Sequence, residues 1–396
     1  MIVRNKVLVL TPRFPYPLLG GDKLRIFKMC KALSQSYDLT LLSFIDEEHC
    51  HNLEHELLET GVFKEIHTIY KSKLSSYGST LISLLKGEPL QVGYYYSRKF
   101  EKKINELVES HQIVLSHLIR TAQYSNKIVH STKKVLEMTD AISMNYSRVQ
   151  GFSLKKIIYK VERRRLLKFE KECVTRQDLT SFISSADVDY LVKNKAKINE
   201  CLVVTNGVDI YPEIHSFSEE KREIVFIGNM HSEQNFDAAL WFATNVMPIL
   251  STKNFSFKVI GKISSSKSAQ LSSLPNVVVV GAVNSLFEAT KSAFVGVCPM
   301  RIGAGVQNKV LEYMSLGLPC ITSPLGYEGI SAIPGRDLII AEGVNEYVEA
   351  IESLTSKSFN RTIAVNGNEY VKLNHEWDAV MHSFVKKLDS MIGNKK

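Results

Sequence analysis

The sequence predicts an α/β protein made of two open parallel-sheet domains in tandem, and three observations predict it. Short apolar runs alternate with helix-length amphipathic stretches along most of the 396 residues, which is the pattern of βαβ units. The pattern restarts near residue 205, at the turn signal Asn206-Gly207-Val208-Asp209. The length suits two domains of about 100–200 residues each.

In the first half, Lys6–Leu10 reads as a strand, Asp22–Ser36 as a helix and Asp38–Ser43 as the next strand. Lys64–Ile69, Ile113–Ser116, Lys134–Glu137 and Ser181–Ser184 read as further strands, with helical segments between them. Cys201–Val204 is a last short apolar run before the turn. The second half gives five strands: Glu223–Ile227, Ser256–Ile260, Asn276–Val280, Ala293–Pro299 and Leu318–Thr322, most ending at Gly or Pro. Glu376–Ile392 carries Trp377, Val380, Met381, Phe384, Val385 and Leu388 at helical spacing. It reads as a terminal helix packed on something. The expected divisions are 1–205, 206–375 and 376–396.

Hydrophobic residues make up 44% and charged residues 23%, which excludes a disordered chain. The net charge of +8 favours an anionic partner: nucleotide, nucleic acid or acidic membrane surface. The sequence holds no zinc finger, RRM signature or basic zipper, so nucleic acid is not expected. Six scattered cysteines without a CxxC pair read as reduced thiols of a cytosolic protein. The run Val7–Leu10 is too short for a signal-peptide core, and no run of about 18 apolar residues predicts a membrane span.

Two loops are candidates for phosphate chemistry. The first is Thr11–Asp22, where Gly20 and Gly21 precede a helix. Glycines there let backbone N–H groups approach an anion, and the helix N-terminus adds partial positive charge. A plain β–α turn uses the same residues. The second is Pro299–Met314, a strand, a glycine-rich loop and a helix in succession. Gly303 and Gly305 open the loop, while Asn308 stands where a dinucleotide fingerprint has its third glycine, so an NAD site is not supported. Arg301 and Lys309 suit a diphosphate. Glu312 follows Lys309 by three residues on the same helix face and suits two ribose hydroxyls. A Lys–Glu pair on a solvated helix has the same spacing.

These segments resemble family 4 glycosyltransferases of the GT-B fold, two Rossmann-like domains facing across a cleft. Phe226–Phe242 resembles the start of that family's nucleotide-binding domain, and Pro299–Ile330 its donor-site signature. Asn206–Asp209 resembles its interdomain hinge, Gly281-Ala282-Val283 its base-binding loop, and Pro12–Gly21 its N-terminal loop.

The resemblance implies a metal-independent, retaining hexosyltransferase with no cofactor beyond its UDP- or GDP-linked sugar. The expected acceptor is a glycan or a polyprenyl-diphosphate-linked glycan in bacterial surface polysaccharide assembly. Gly20, Gly21, Gly228, Gly303 and Gly305 would line the donor, Val283 would meet the base and Glu312 the ribose. Arg301 and Lys309 would stabilise the departing diphosphate. His117 would lie near the donor sugar, with Arg120 and Asp140 toward the acceptor. A core histidine and a helix N-cap are the structural alternatives for His117 and Asp140. Two departures stand out. Ala304 replaces the first of two glutamates seven residues apart, and Asn229, Met230 and His231 replace a basic pair after Gly228. A non-catalytic binding subunit and a sugar-nucleotide epimerase are the rival readings.

The segment 154–172 is rich in Lys and Arg with apolar residues at helical spacing. That pattern suits an interfacial helix on an anionic membrane, and equally an amphipathic helix packed on the first domain. It gives the expected location as cytoplasmic and peripheral on the inner face of the plasma membrane. His49, Cys50, His51 and His55 cluster without a further ligand nearby, so a solvated helix is expected there rather than a metal site.

Overall fold

The computed structural model describes residues 4–18, 20–45, 51–129, 131–147, 154–211, 222–302 and 306–393, side chains 51 and 154–158 excepted. Its contacts divide it into two compact units, Met1–Thr205 with Val380–Lys396, and Asn206–Ala379.

The first unit runs β1 (Lys6–Thr11), α1 (Gly21–Leu33), β2 (Asp38–Ile45), α2 (His51–Glu59), β3 (Glu65–Tyr70), α3 (Lys73–Lys86), α4 (Leu90–Tyr94) and α5 (Arg98–Leu107). It continues with β4 (Ile113–His117), α6 (Ile119–Ser125), β5 (Lys133–Thr139), α7 (Ile142–Ser147), α8 (Leu154–Arg176), β6 (Leu179–Phe182), α9 (Ser185–Lys193) and β7 (Cys201–Val203). The described strands form one sheet in the order β3-β2-β1-β4-β5-β6-β7, and every adjacent pair is parallel. Val9 pairs with Leu41 on one side and Leu115 on the other. Both faces of β1 are covered, so it is a continuous apolar run rather than an alternating one.

The second unit contains β8 (Arg222–Ile227), α10 (Glu233–Trp241), α11 (Met247–Ser251), β9 (Phe255–Ile260), α12 (Ser265–Ser272), β10 (Val277–Gly281) and α13 (Leu286–Thr290). Then follow β11 (Ala293–Cys298), α14 (Asn308–Ser315), β12 (Cys320–Thr322), α15 (Pro324–Tyr327), β13 (Ile339–Ile340), α16 (Gly343–Ser353) and α17 (Lys357–Asn374). The sheet order is β10-β9-β8-β11-β12-β13, again parallel. Each sheet reverses direction of growth beside its first strand, between β1 and β4 and between β8 and β11. In open α/β sheets that switch point is where ligands bind.

The sequence reading holds for most strands, with two corrections. Ser181–Ser184 is displaced: the strand is Leu179–Phe182, and the Ser184 side chain instead accepts from Ala186 N at the start of α9. The second sheet has a sixth strand, β13, only two residues long and too short to leave a periodic signal. The last helix, α18 (Trp377–Gly393), packs within the first unit through its later turns. There Asp389 meets the Tyr37 hydroxyl and Lys387 meets Glu200.

Glycines shape the second switch point. Gly261 has φ +135°, and a Cβ there would lie 1.8 Å from the carbonyl oxygen of Gly228. Gly296 has Tyr313 against it, with ring atoms 2.3 Å from where a Cβ would stand. The Tyr313 hydroxyl then reaches into the gap between the two diverging strands. It accepts from Ile227 N of β8 at 2.8 Å and donates to Val297 O of β11 at 3.1 Å. Helix α14 is thereby pinned to the sheet at the point where its own first turn faces the crevice.

Candidate functional site

In the second unit, the loops after β8 and β11 converge on one lysine. Lys309, in the first turn of α14, is 7% exposed. Its Nζ donates to Asn235 Oδ1 at 2.9 Å and Gln307 Oε1 at 3.1 Å, and lies 5.4 Å from the centre of the Phe226 ring. Asn235, on α10, in turn donates through Nδ2 to Asn229 O at 3.1 Å. The segment Asn229–His231 therefore supplies backbone anchoring where a basic pair was absent from the sequence. Among the described residues no carboxylate pairs with this buried ammonium, which keeps most of its field for an incoming anion.

Arg301 lies on the surface, 3.8 Å from Asp237 Oδ1 and 5.8 Å from the Trp241 ring centre. It borders a cavity of about 550 Å³ with Trp241, Ser323, Glu328 and Glu342. Glu312 is not the solvated partner of Lys309 that the spacing allowed, because the lysine is buried and turned to Asn235. Burial lifts the Glu312 carboxyl above its ordinary range, against the opposing pull of Lys309. The Glu312 charge also reaches Tyr211, whose ring stacks on Phe287 with centroids 5.3 Å apart. Val283 is partly buried against the core of this unit, just before α13. Gly228 is held by its N–H to Ile260 O, next to Asn235. Asn206 donates to Asn308 Oδ1 at 2.8 Å, which ties the turn segment to the first residue of α14. Gly303, Ala304 and Gly305 lie outside the described residues.

In the first unit, His117 ends β4 and is 2% exposed. Its Nδ1 is 2.6 Å from Glu137 Oε2, and its Nε2 is buried with no hydrogen-bond partner among the described residues. The core-histidine alternative is thus met on one nitrogen and unmet on the other. Glu137 also accepts from Arg25 Nε at 2.7 Å and Thr139 Oγ1 at 3.0 Å. Arg25 in turn donates to Val204 O at 2.8 Å and Thr205 O at 3.0 Å. Burial alone would raise the Glu137 carboxyl, but the Arg25 guanidinium and His117 bring it down to about 2.

Two residues beside this network have left-handed backbones: Leu118 at φ 64° and Thr139 at φ 68°. A β-branched residue there is a genuine outlier, of the kind that concentrates at functional sites.

Gly20, at φ 114°, caps α1 and requires a glycine, and Gly21 opens the helix. Nearby Arg13 pairs with Asp22 at 2.5 Å. Arg120 donates to Gln91 Oε1 at 3.1 Å and stands 5.6 Å from the Tyr95 ring centre. With Arg13, Tyr77, Tyr94 and Tyr95 it borders a cavity of about 390 Å³. The Asp140 carboxylate accepts from Asn145 Nδ2 at 2.5 Å. Burial, with the nearby Glu137 charge, raises its carboxyl against the Asn145 bond.

Arg25, Glu137 and Asn235 were not picked out from the sequence. The first two had a signal. Arg25 falls on the apolar stripe Ile26, Met29, Cys30 and Leu33 of α1, and Glu137 interrupts the apolar run of β5. Charges of opposite sign set into two buried faces imply each other. Among the described residues no group of three or more His, Cys, Asp or Glu could hold a metal. His55 pairs with Glu59, and His49 and Cys50 lie outside the described residues.

Residues 221–357 match the family described as Glycosyl transferases group 1. The chain is 24% identical over 410 residues to an uncharacterized 44.6 kDa protein in the cps region of Klebsiella pneumoniae, covering 96% of this chain and 99% of the relative. Among solved structures it resembles the Anabaena protein Alr3699/HepE in complex with UDP and glucose, with TM-score 0.71 and 12% identity, covering 98% and 100% of the two chains. It also resembles sucrose-phosphate synthase from Thermosynechococcus elongatus, with TM-score 0.70, 14% identity and the same coverages. The fold is of the GT-B type.

Proposed function

From a chain that carries a group 1 glycosyl transferase domain at residues 221–357, we propose a metal-independent, retaining hexosyltransferase that uses a UDP- or GDP-linked sugar. The acceptor is a glycan, free or carried on a polyprenyl diphosphate, in assembly of a bacterial surface polysaccharide. The observation that carries the reading is the buried Lys309 ammonium held by Asn235 between the loops after β8 and β11. A fixed cation at a switch point is what a departing diphosphate needs.

As the bond from the anomeric carbon to the diphosphate oxygen breaks, negative charge grows on the phosphates. Lys309 and Arg301 face that charge, so they favour the transition state over the bound donor. The acceptor oxygen bonds to the anomeric carbon on the same face and gives its proton to the departing diphosphate oxygen, and no carboxylate of the chain acts as nucleophile. Glu312 takes the ribose hydroxyls, with Val283 and Tyr211 toward the base and Gly20 and Gly21 toward the diphosphate. His117 offers its free Nε2 to a sugar hydroxyl. Arg120 and Asp140 lie toward the acceptor. The UDP complex of the Anabaena neighbour and the cps-region relative support the donor class and the setting.

The test is a thermal-shift panel of UDP, GDP, ADP, CMP and NAD with EDTA present. A ligand at a hundredfold excess over its dissociation constant stabilises by about 2.7 kcal/mol. A shift with UDP or GDP and none with NAD is expected. A flat response to every nucleotide would overturn the reading and favour a non-catalytic partner subunit.

A further inference from the structure

Helix α3 is amphipathic the wrong way round. Its packed face is made of hydroxyl residues, with Ser76 and Ser83 buried, while Leu74, Tyr77, Leu81, Ile82 and Leu85 stand exposed. Leu74 is 84% exposed and Leu85 82%. The positions 74, 77, 81 and 85 fall on one stripe of a helix. A soluble surface carries single exposed leucines without consequence, but a contiguous apolar stripe marks an interaction face.

The orientation of α3 is fixed by its packing. On α4, a Cβ at Gly93 would come within 2.0 Å of Ser83 Oγ and 2.4 Å of its Cβ. The two helices touch too closely for any larger residue at 83, so the leucines cannot be rolled inward. Lys71, beneath the N-terminus of α3, donates to Tyr94 O at 2.6 Å and to Tyr96 O, which secures the same pair of helices.

The surroundings are cationic. Residues 71–103 hold seven Lys or Arg against two Glu, five of the net +8 charges of the whole chain. Lys73 and Lys86 end α3 itself, and Arg98, Lys99 and Lys102 are exposed nearby. Behind the helix, a cavity of about 820 Å³ is bordered by Lys86, Arg98, Lys99, Lys127 and Arg176. The basic helix α8 also comes alongside, with Arg165 Nη2 3.5 Å from Leu84 O. Side chains with an apolar stripe and a basic border match a bilayer whose headgroups are anionic. They match a protein partner less well, because protein interfaces are depleted in lysine relative to the rest of the surface.

We propose that α3 docks this chain on an anionic lipid bilayer, its leucines entering the interface and the lysines around them meeting lipid phosphates. Arg165 of α8 contributes charge to this face, while α3 supplies the apolar contact. Tyr77 belongs both to the stripe and to the cavity that holds Arg13 and Arg120, so a lipid-linked substrate would arrive beside that cavity. The docking itself does not depend on the transferase reading.

The experiment is sedimentation of the full chain with phosphatidylcholine vesicles, with and without phosphatidylglycerol, for wild type and Leu74→Gln/Leu85→Gln. Nucleotide thermal shifts serve as a separate readout of fold and donor site. Wild type should pellet with the anionic vesicles and be released by salt. The double variant should partition about tenfold or more weakly at unchanged melting temperature. Leu81→Trp should shift its emission to the blue on anionic vesicles only. Equal pelleting of wild type and double variant would overturn the proposal. So would no pelleting at all, or a dimer in sedimentation velocity that the double variant abolishes.

Discussion

His117 Nδ1 and Glu137 Oε2 lie 2.6 Å apart, and the other carboxylate oxygen of Glu137 accepts from Arg25 at 2.7 Å. One buried acid thus holds the imidazole from behind and is itself held by a guanidinium. The remaining ring nitrogen is buried and has no hydrogen-bond partner among the described residues. The same Arg25 binds the carbonyls of Val204 and Thr205, the last residues of the first unit before the chain enters the second.

That pairing has a sign in pH. Glu137 sits at about 2 when folded against an ordinary 4.5. Its folded pKa is below the unfolded one, so the stabilisation is present above about 4.5 and is lost as pH falls toward 2. Glu137→Gln should show a shallower loss of denaturant midpoint between pH 5 and 3 than wild type. It should also be less stable at pH 7 by about 3–5 kcal/mol, because Arg25 is left buried without a counter-charge. Parallel acid profiles for the two proteins would show that the pair carries no linkage.

Lys309→Ala should lower turnover on the order of 10²–10³-fold, as expected for removal of one charge-stabilising donor at a reaction centre. The effect should fall mainly on kcat, because the charge it opposes develops as the diphosphate leaves. Asn235→Ala keeps the ammonium but frees it from its anchor, and should lose less. Steady-state kinetics with the donor identified by thermal shift decide the matter. Near-wild-type turnover in Lys309→Ala would remove this residue from the mechanism.

The two sheets were legible in the sequence because parallel strands covered on both faces are continuous apolar runs, and in the second half most of these runs end at glycine or proline. β13 was not, since two residues carry no period. The candidate site was marked in the sequence where a glycine-rich loop meets a helix, the spacing that singles out Arg301, Lys309 and Glu312. Their environment was not. Nothing in the local sequence tells that Lys309 is buried, because the covering atoms come from Phe226 and Asn235, more than seventy residues away. Arg25 and Glu137 were legible only jointly, each a charge in an apolar face whose partner lies 112 positions along the chain.

A second buried acid carries the opposite sign. Glu170, on α8, is raised to about 7, first by burial, and accepts from Ser143 N at 3.0 Å and Ser143 Oγ at 2.5 Å. Its folded pKa is above the unfolded 4.5. Between those values the folded chain holds a proton that the unfolded chain has lost, so stability declines as pH rises from about 4.5 to 7. Glu170→Gln mimics the protonated form. It should melt a few degrees higher than wild type at pH 8, and the gap should close by pH 5. A gap independent of pH would mean that Glu170 does not titrate in this window.

Tyr313 gives the sharpest link between fold and site. Its hydroxyl serves two strands at once, Ile227 N and Val297 O, with Gly296 making room for the ring. Tyr313→Phe keeps the ring and removes only the oxygen, leaving one buried N–H and one buried carbonyl unpaired. At about 1–3 kcal/mol for each buried polar group left unsatisfied, the second unit should lose about 2–6 kcal/mol. Because Lys309 and Glu312 ride on the same helix, nucleotide affinity should weaken along with stability. Calorimetric titration with UDP or GDP and denaturant unfolding of the same variant test both halves. If stability falls while affinity is unchanged, Tyr313 braces the sheet without setting the position of α14. If neither moves, the bridge between β8 and β11 is not formed by this hydroxyl.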